Sequence, residues 1–274
     1  MFLGDIFWHM ANWLQKLKPT ILTCLIATTV GSASITHTSS CLASEWSTIQ
    51  KRGRLVVGVK DNLPPMGFRH PSGDLAGFEI DIARELAKEL LGSTELVELV
   101  PLRNRDRLSA IWNDRVDVVV AHLSVTRNRS RLVDFTIPYY TDSTAVVAKR
   151  SNQNDQIDRN SAITVIKGSS TIAVLQFLVP QAQLIGVDSY QEGLAALQAQ
   201  KVQAFAGDSS ALVQWLKENP DYDRIKNLTS SHSFAIALPR GLQYEDLRLK
   251  VLQAVEKWHK NGWLRDRATY WGLP

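Results

Sequence analysis

Apolar positions along the chain fall into short unbroken runs and helical stripes that alternate. The run RLVVGV (54–59) predicts a strand that ends in loop residues, DNLPPMGF. Phe78, Ile82, Leu86 and Leu90 recur every fourth position and predict a helix through FEIDIARELAKELL. The strand LVELV (96–100), the short helix DRLSAIW (106–112) and the strand DVVVA (117–121) follow. Beyond a polar stretch at 151–161 the pattern restarts. AITVI (162–166) predicts a strand, and Lys167-Gly168-Ser169-Ser170-Thr171 opens a helix. Next come the strand LIGV (184–187), the helix SYQEGLAALQAQ (189–200), the strand VQAFAG (202–207) and the helix DSSALVQWLKEN (208–219). SFAIALP (233–239) reads as one further strand, and helices over 244–260 and 264–270 close the chain. Strands alternating with helices predict parallel α/β sheets, here in two units. No short tandem repeat points to a solenoid.

The beginning of the chain breaks this pattern. An apolar stretch at 20–35 follows Lys16 and Lys18 and runs into small residues, the order of a secretory signal. Cleavage after Ala33 or Ala43 fits, and 1–43 is assigned as signal and leader. Thr, Ser and Gly interrupt the stretch, which makes it a poor permanent span. Lipid attachment at Cys41 is the less favoured alternative, because Thr38-Ser39-Ser40 lacks an aliphatic residue at its front. Cys24 lies inside the stretch, so the processed chain has no cysteine pair for a disulfide or a thiolate metal site. The 274 residues, 45% apolar and 21% charged with a net charge of +4, suit a globular protein. Arginines between 103 and 131 are interleaved with Asp106, Asp114 and Asp117, which argues against a nucleic-acid groove.

Open α/β sheets bind ligands beyond the carboxyl ends of their strands. After DVVVA come His122-Leu123-Ser124-Val125-Thr126 and then Arg129, a set of hydroxyls, backbone N–H groups and a guanidinium that suits a carboxylate. The alternative is a helix cap beside a surface Arg. The turn at Gly168-Ser169-Ser170 offers free N–H groups to an anion, or is a plain turn and cap. Asp208, at the end of VQAFAG, receives an ammonium group or caps the next helix. Together these strand ends make a trap for a zwitterion. Neither GxGxxG nor GxxxxGK[ST] occurs, so nucleotide binding has no motif support.

The chain resembles the periplasmic amino-acid-binding proteins of bacterial ABC transporters, solute-binding protein family 3. The resemblance runs from about Gly53 to Gly272. It rests on Gly77-Phe78-Glu79-Ile80-Asp81-Ile82, Val116-Asp117-Val118, Leu123-Ser124-Val125-Thr126 with Arg129, and Val133-Asp134-Phe135-Thr136-Ile137-Pro138-Tyr139-Tyr140. Asn261-Gly262 and Tyr270-Trp271-Gly272 add to it.

The resemblance implies a type II two-lobed fold, each lobe a mostly parallel sheet flanked by helices, with a hinge closing the cleft on the ligand. Lobe 1 would be 44–141 plus 232–274 and lobe 2 would be 142–231, with crossings near 141–143 and 229–231. By the same resemblance, Arg129 grips the α-carboxylate with help from Ser170, and Asp208 receives the α-ammonium with help from Ser124. His122 departs from a family position that is often Ser or Gly, and its backbone carbonyl would face the ligand. Phe68 is the aromatic available near DNLPPMGF for stacking, beside Leu63 and Met66. Arg107 matches a position where binders of acidic amino acids carry Arg, or is part of a solvated basic face. The implied protein is a periplasmic, monomeric, non-enzymatic receptor for a polar and even acidic amino acid. Its partners would be that amino acid and the permease subunits, with no cofactor, metal or nucleic acid. The alternative is an exported enzyme of the same fold, such as a cyclohexadienyl dehydratase.

Overall fold

The computed structural model describes residues 45–150, 157, 161–225 and 228–273, which belong to one compact unit, Cys41–Pro274. The signal stretch, both cysteines and both candidate cleavage points lie outside the described residues. Among the described residues no helix is long and apolar enough to cross a membrane.

The chain enters through α1 (Trp46–Arg52) and β1 (Leu55–Val59). A small antiparallel sheet follows, made of β2 (Asn62–Leu63), β3 (Gly67–Arg69) and β4 (Leu75–Ala76). Then come α2 (Phe78–Leu91), β5 (Val97–Pro101), α3 (Arg107–Trp112), β6 (Val118–Val120) and β7 (Asp134–Phe135). The long strand β8 (Tyr140–Lys149) leads into β9 (Ala162–Ile166), α4 (Thr171–Leu178), β10 (Gln183–Val187), α5 (Tyr190–Gln198), β11 (Ala204–Asp208), α6 (Ser209–Glu218) and β12 (Tyr222–Arg224). The return path is β13 (Ser231–Phe234), β14 (Ala237–Leu238), α7 (Glu245–Lys260) and α8 (Trp263–Tyr270).

Two five-strand paths result, β5-β1-β6-β14-β7 and β10-β9-β11-β8-β12. As expected, most strands of each sheet share one direction: four of the five do, and only β14 in the first sheet and β8 in the second run against them. These two reversed strands are the ones through which the chain crosses between lobes. β8 pairs with β13 over Tyr140 to Ser143 and then with β11 from Thr144 onward. The β8–β13 ribbon is therefore what passes between the two sheets. The single strand expected at 233–239 splits for the same reason: its first part pairs with β8, and its second with β6 and β7.

Helices cover both faces of each sheet, which explains the unbroken apolar strands. Phe78, Ile82 and Leu86 of α2 join Val251, Val255 and Trp258 of α7 on one face of the first sheet. Ala110 and Ile111 of α3 cover the other. In the second sheet, Leu194 and Leu212 lie on one face with Phe205, and Leu175 of α4 on the other.

The start of α2 fixes the wall of the cleft. Phe78 N–H donates to the Pro65 carbonyl (3.0 Å) and Glu79 N–H to that of Met66 (2.8 Å), so the DNLPPMGF loop caps the helix. Gly77 makes this approach possible. Its φ is 130°, and a Cβ there would sit 2.4 Å from the Met66 oxygen.

Candidate functional site

β6 ends at Val120, and the chain turns inward at His122, whose φ of 54° is unusual for a non-glycine residue. The turn is held by Glu79, which is fully buried. Glu79 Oε1 accepts the His122 backbone N–H (2.7 Å) and the Tyr139 hydroxyl (2.5 Å). The His122 ring lies on Phe234, with centroids 3.8 Å apart. Its Nε2 is 3.0 Å from Asp208 Oδ2, and its Nδ1 is 3.6 Å from Glu79 Oε1. Among the described residues neither ring nitrogen makes a hydrogen bond of good geometry, so the attraction is that of an ion pair.

Asp208 ends β11 and is 7% exposed. Its Oδ1 lies 2.9 Å from His232 Nε2, and the Tyr190 hydroxyl donates to Oδ2 at 2.8 Å. The tyrosine oxygen also accepts the Asp208 backbone N–H (2.7 Å). Burial opposes charge on both partners, and their mutual attraction overcomes it. His122 is raised to about 9 despite desolvation, chiefly by the Asp208 carboxylate. Desolvation likewise pushes Asp208 up, but His122 and His232 hold its carboxyl far below the usual carboxylate range. Burial of the Tyr190 hydroxyl, reinforced by the Asp208 charge, raises it well above an ordinary phenol.

Two guanidiniums stand beside this pair. Arg129 donates to the Ser124 carbonyl (2.9 Å) and, across the cleft, to the Gly168 carbonyl (3.0 Å). Burial lowers its pKa, and Asp208 offsets part of that effect. Arg107 is 1% exposed. It donates to the carbonyls of Asn104 (3.0 Å), Ala121 (2.9 Å), His122 (2.6 Å) and Gly168 (3.3 Å). Burial, and then the neighbouring Arg129, lower its pKa to about 9. Ser124 Oγ meets Ser170 Oγ at 2.9 Å between the lobes. At the adjoining start of α4, Ser169 Oγ and Thr171 Oγ1 are buried without a hydrogen-bond partner among the described residues.

Arg129, Asp208, Ser124, Ser170, His122 and Arg107 are thus brought into one interlobe cluster. Arg107 is no solvated basic face. Its donors are directed at backbone carbonyls, which makes it a strut between strand end and turn. Phe68 stands apart from the cluster, edge-on to Trp271 at 5.9 Å. Both line an interlobe cleft of about 880 Å³ that also touches Leu63, Tyr190 and Trp215.

Glu79, Tyr139, Tyr190, His232 and Phe234 were not among the expected site residues. Tyr190 opens the helix just before the strand that Asp208 ends, and His232 lies on a strand whose pairing is not local. Alternation in Ser231-His232-Ser233-Phe234 was the available signal for a strand, though not for its partner. Among the described residues no group of three or more His, Cys, Asp or Glu has the arrangement of a metal site.

Two sheets joined by a two-strand ribbon, with charged strand ends meeting in the cleft, define a type II two-lobed binding protein. The chain belongs to the bacterial extracellular solute-binding proteins, family 3, which it matches over residues 55–274. It is 29% identical over 192 residues to a glutamine-binding protein of Geobacillus stearothermophilus, covering 69% of this chain and 73% of that one. A solved solute receptor for L-cysteine from Neisseria gonorrhoeae superposes with a TM-score of 0.76 at 29% identity, over 83% of this chain and 93% of the other. An ancestral amino acid-binding protein, described as a precursor of cyclohexadienyl dehydratase, shares the fold with a TM-score of 0.75 at 23% identity, over 83% and 99% of the two chains.

Proposed function

We propose that this chain is a periplasmic receptor that captures a free polar amino acid and presents it to the permease of an ABC transporter, without transforming it. The observation that carries this reading is that half-buried Arg129, bonded to Ser124 and Gly168, and buried Asp208, paired with His122, stand in one cluster between the lobes. A guanidinium and a carboxylate with hydroxyls between them complement an α-amino acid. Arg129 would take the carboxylate as a two-pronged pair. The unpartnered hydroxyls of Ser169 and Thr171 at the start of α4 are further donors for it. Asp208 would take the ammonium. The glutamine-binding relative and the L-cysteine receptor support an amino acid as the ligand class. The preference for acidic side chains rested on Arg107, and the four carbonyl bonds of that residue remove its support.

Captured ligand would be enclosed by rotation of the lobes about the β8–β13 ribbon. The test is titration calorimetry of the full chain against the twenty amino acids. Binding by a polar amino acid, abolished in Arg129→Ala and in Asp208→Ala, is expected. Retained affinity in either variant rejects the assignment.

The buried run Glu79–His122–Asp208 has the groups of an acid–base relay, so the dehydratase alternative keeps a structural argument. Incubation with prephenate or arogenate discriminates: product formation lost in His122→Ala would establish catalysis, and an unchanged substrate is the expected result.

A further inference from the structure

The carboxylate assigned above to the ligand's ammonium already has company. Asp208, which ends β11 just before α6 in the second lobe, is faced by His122 from the end of β6, His232 from β13 and Tyr190 from α5. His122 belongs to the first lobe. Its other neighbours there are Glu79 from α2, Tyr139 just before β8, and Arg107 from α3, which donates to the His122 carbonyl. The surrounding charges are therefore two carboxylates, Glu79 and Asp208, against Arg107, Arg129 and the His122 imidazolium, with the His232 ring also at Asp208. An imidazolium at His122 sits between the two carboxylates and spans the cleft. The strained φ at His122 and the Phe234 ring beneath it hold the side chain in that direction. Ser124 to Ser170, and both guanidiniums to the Gly168 carbonyl, are further bonds across the same closed gap.

We propose that His122 is a built-in stand-in for the ligand's ammonium, bridging the lobes to Asp208, so that an incoming amino acid binds by displacing its ring. This rests on the receptor reading of Asp208, and it makes His122 a determinant of affinity and selectivity. Ligands without a cationic group cannot replace the imidazolium. Binding is also opposed by the closed population that must first open, as for any site whose competent state is a fraction of the whole.

The test measures the distance between lobes in the ligand-free full chain. Spin labels at Phe177→Cys and Leu242→Cys, both strongly exposed, are introduced with Cys24→Ser and Cys41→Ser. The wild-type cleft should give one narrow distance at pH 7 and a broader, different distribution at pH 10, above the titration of both His122 and Arg107 at about 9, which the variant separates. His122→Ala should give the broad distribution at both pH values. Where His122→Ala fails to fold, Asp208→Asn tests the other half of the bridge in the same way. Identical distributions for wild type and variant at pH 7 overturn the proposal. Calorimetry with L-glutamine as probe adds the functional arm, and His122→Ala should bind about tenfold tighter at pH 7, or 1.4 kcal/mol. Should no amino acid bind either protein, the receptor reading fails, while the distances still decide the bridge.

Discussion

Replacing Glu79 with Ala tests whether one buried carboxylate organises the cleft wall. Its Oε1 is the acceptor for both the His122 N–H and the Tyr139 hydroxyl. Truncation leaves two buried donors without it, each costing about 1–3 kcal/mol. Two effects pull the total down. The Oε2 atom is buried without a hydrogen bond among the described residues, so removing the carboxylate also removes an uncompensated desolvation cost. The imidazolium of His122 retains Asp208 as a counter-charge. The net expectation is a loss of about 2–4 kcal/mol. For a protein of this size that corresponds to a fall in melting temperature of roughly 4–16 °C. Glu79→Gln keeps an oxygen acceptor and should lose less than half as much. Thermal denaturation followed by circular dichroism, with both variants at pH 7, is the assay. A melting temperature for Glu79→Ala within about 2 °C of wild type would refute the reasoning, as would equal losses in the two variants.

Arg129→Ala should leave the fold intact and weaken amino-acid binding by at least a hundredfold, since an unpaired buried carboxylate costs about 3–5 kcal/mol; calorimetry beside a melting curve separates the two effects. Arg107→Leu leaves the Ala121 and His122 carbonyls without their donor, and a stability loss of about 2–4 kcal/mol is expected in urea denaturation. Gly168→Ala should destabilise the closed cleft, because φ there is +72° and the new Cβ would sit 3.2 Å from the Arg105 nitrogen; a cost of about 1–2 kcal/mol is expected. His122 is raised from 6.5 to about 9 on folding, with Asp208 overcoming the burial that opposes it. Its contribution is therefore complete below about pH 6.5 and is lost as pH rises through 9. Melting temperatures across pH 6 to 10 should fall more steeply for wild type than for His122→Gln, and parallel curves would count against a charged imidazole.

The elements with local signals were legible in the sequence. Helix α2 matches its expected span at both ends because apolar residues at every fourth position mark its core-facing side and Gly77 and Gly92 bound it. Strands β1, β9 and β11 were legible because burial on both faces makes their runs almost entirely apolar, Thr164 and the terminal Asp208 excepted. β8 was not, since Tyr140-Thr141-Asp142-Ser143-Thr144 is too polar to read as a strand. Its ladder is justified by partners 56 to 94 residues away. The same limit divides the site. Arg129, Ser124 and Asp208 lie where strands end, a position that the chain pattern itself marks. Glu79 carries no such mark, because a glutamate in the first turn of a helix is ordinarily a solvated complement to the helix dipole. Here α2 is tucked under the end of β6, and the same residue is fully buried with two donors upon it.

That burial also explains why the histidine matters more than its position along the chain suggests. A residue without a side chain after β6 would leave Asp208 facing His232 and Tyr190 alone, with room for an external cation. With His122 there, the carboxylate is faced by an imidazole from the opposite lobe. In the proposed receptor a cation beside Asp208 favours closure, because an unpaired buried carboxylate is costly. Supplied from within the chain, that cation would let the lobes approach without ligand and would make ligand capture an exchange of one cation for another. The selectivity that follows depends on how well a guest's ammonium competes for Asp208, and the depth of that competition is set by His122 and the pH.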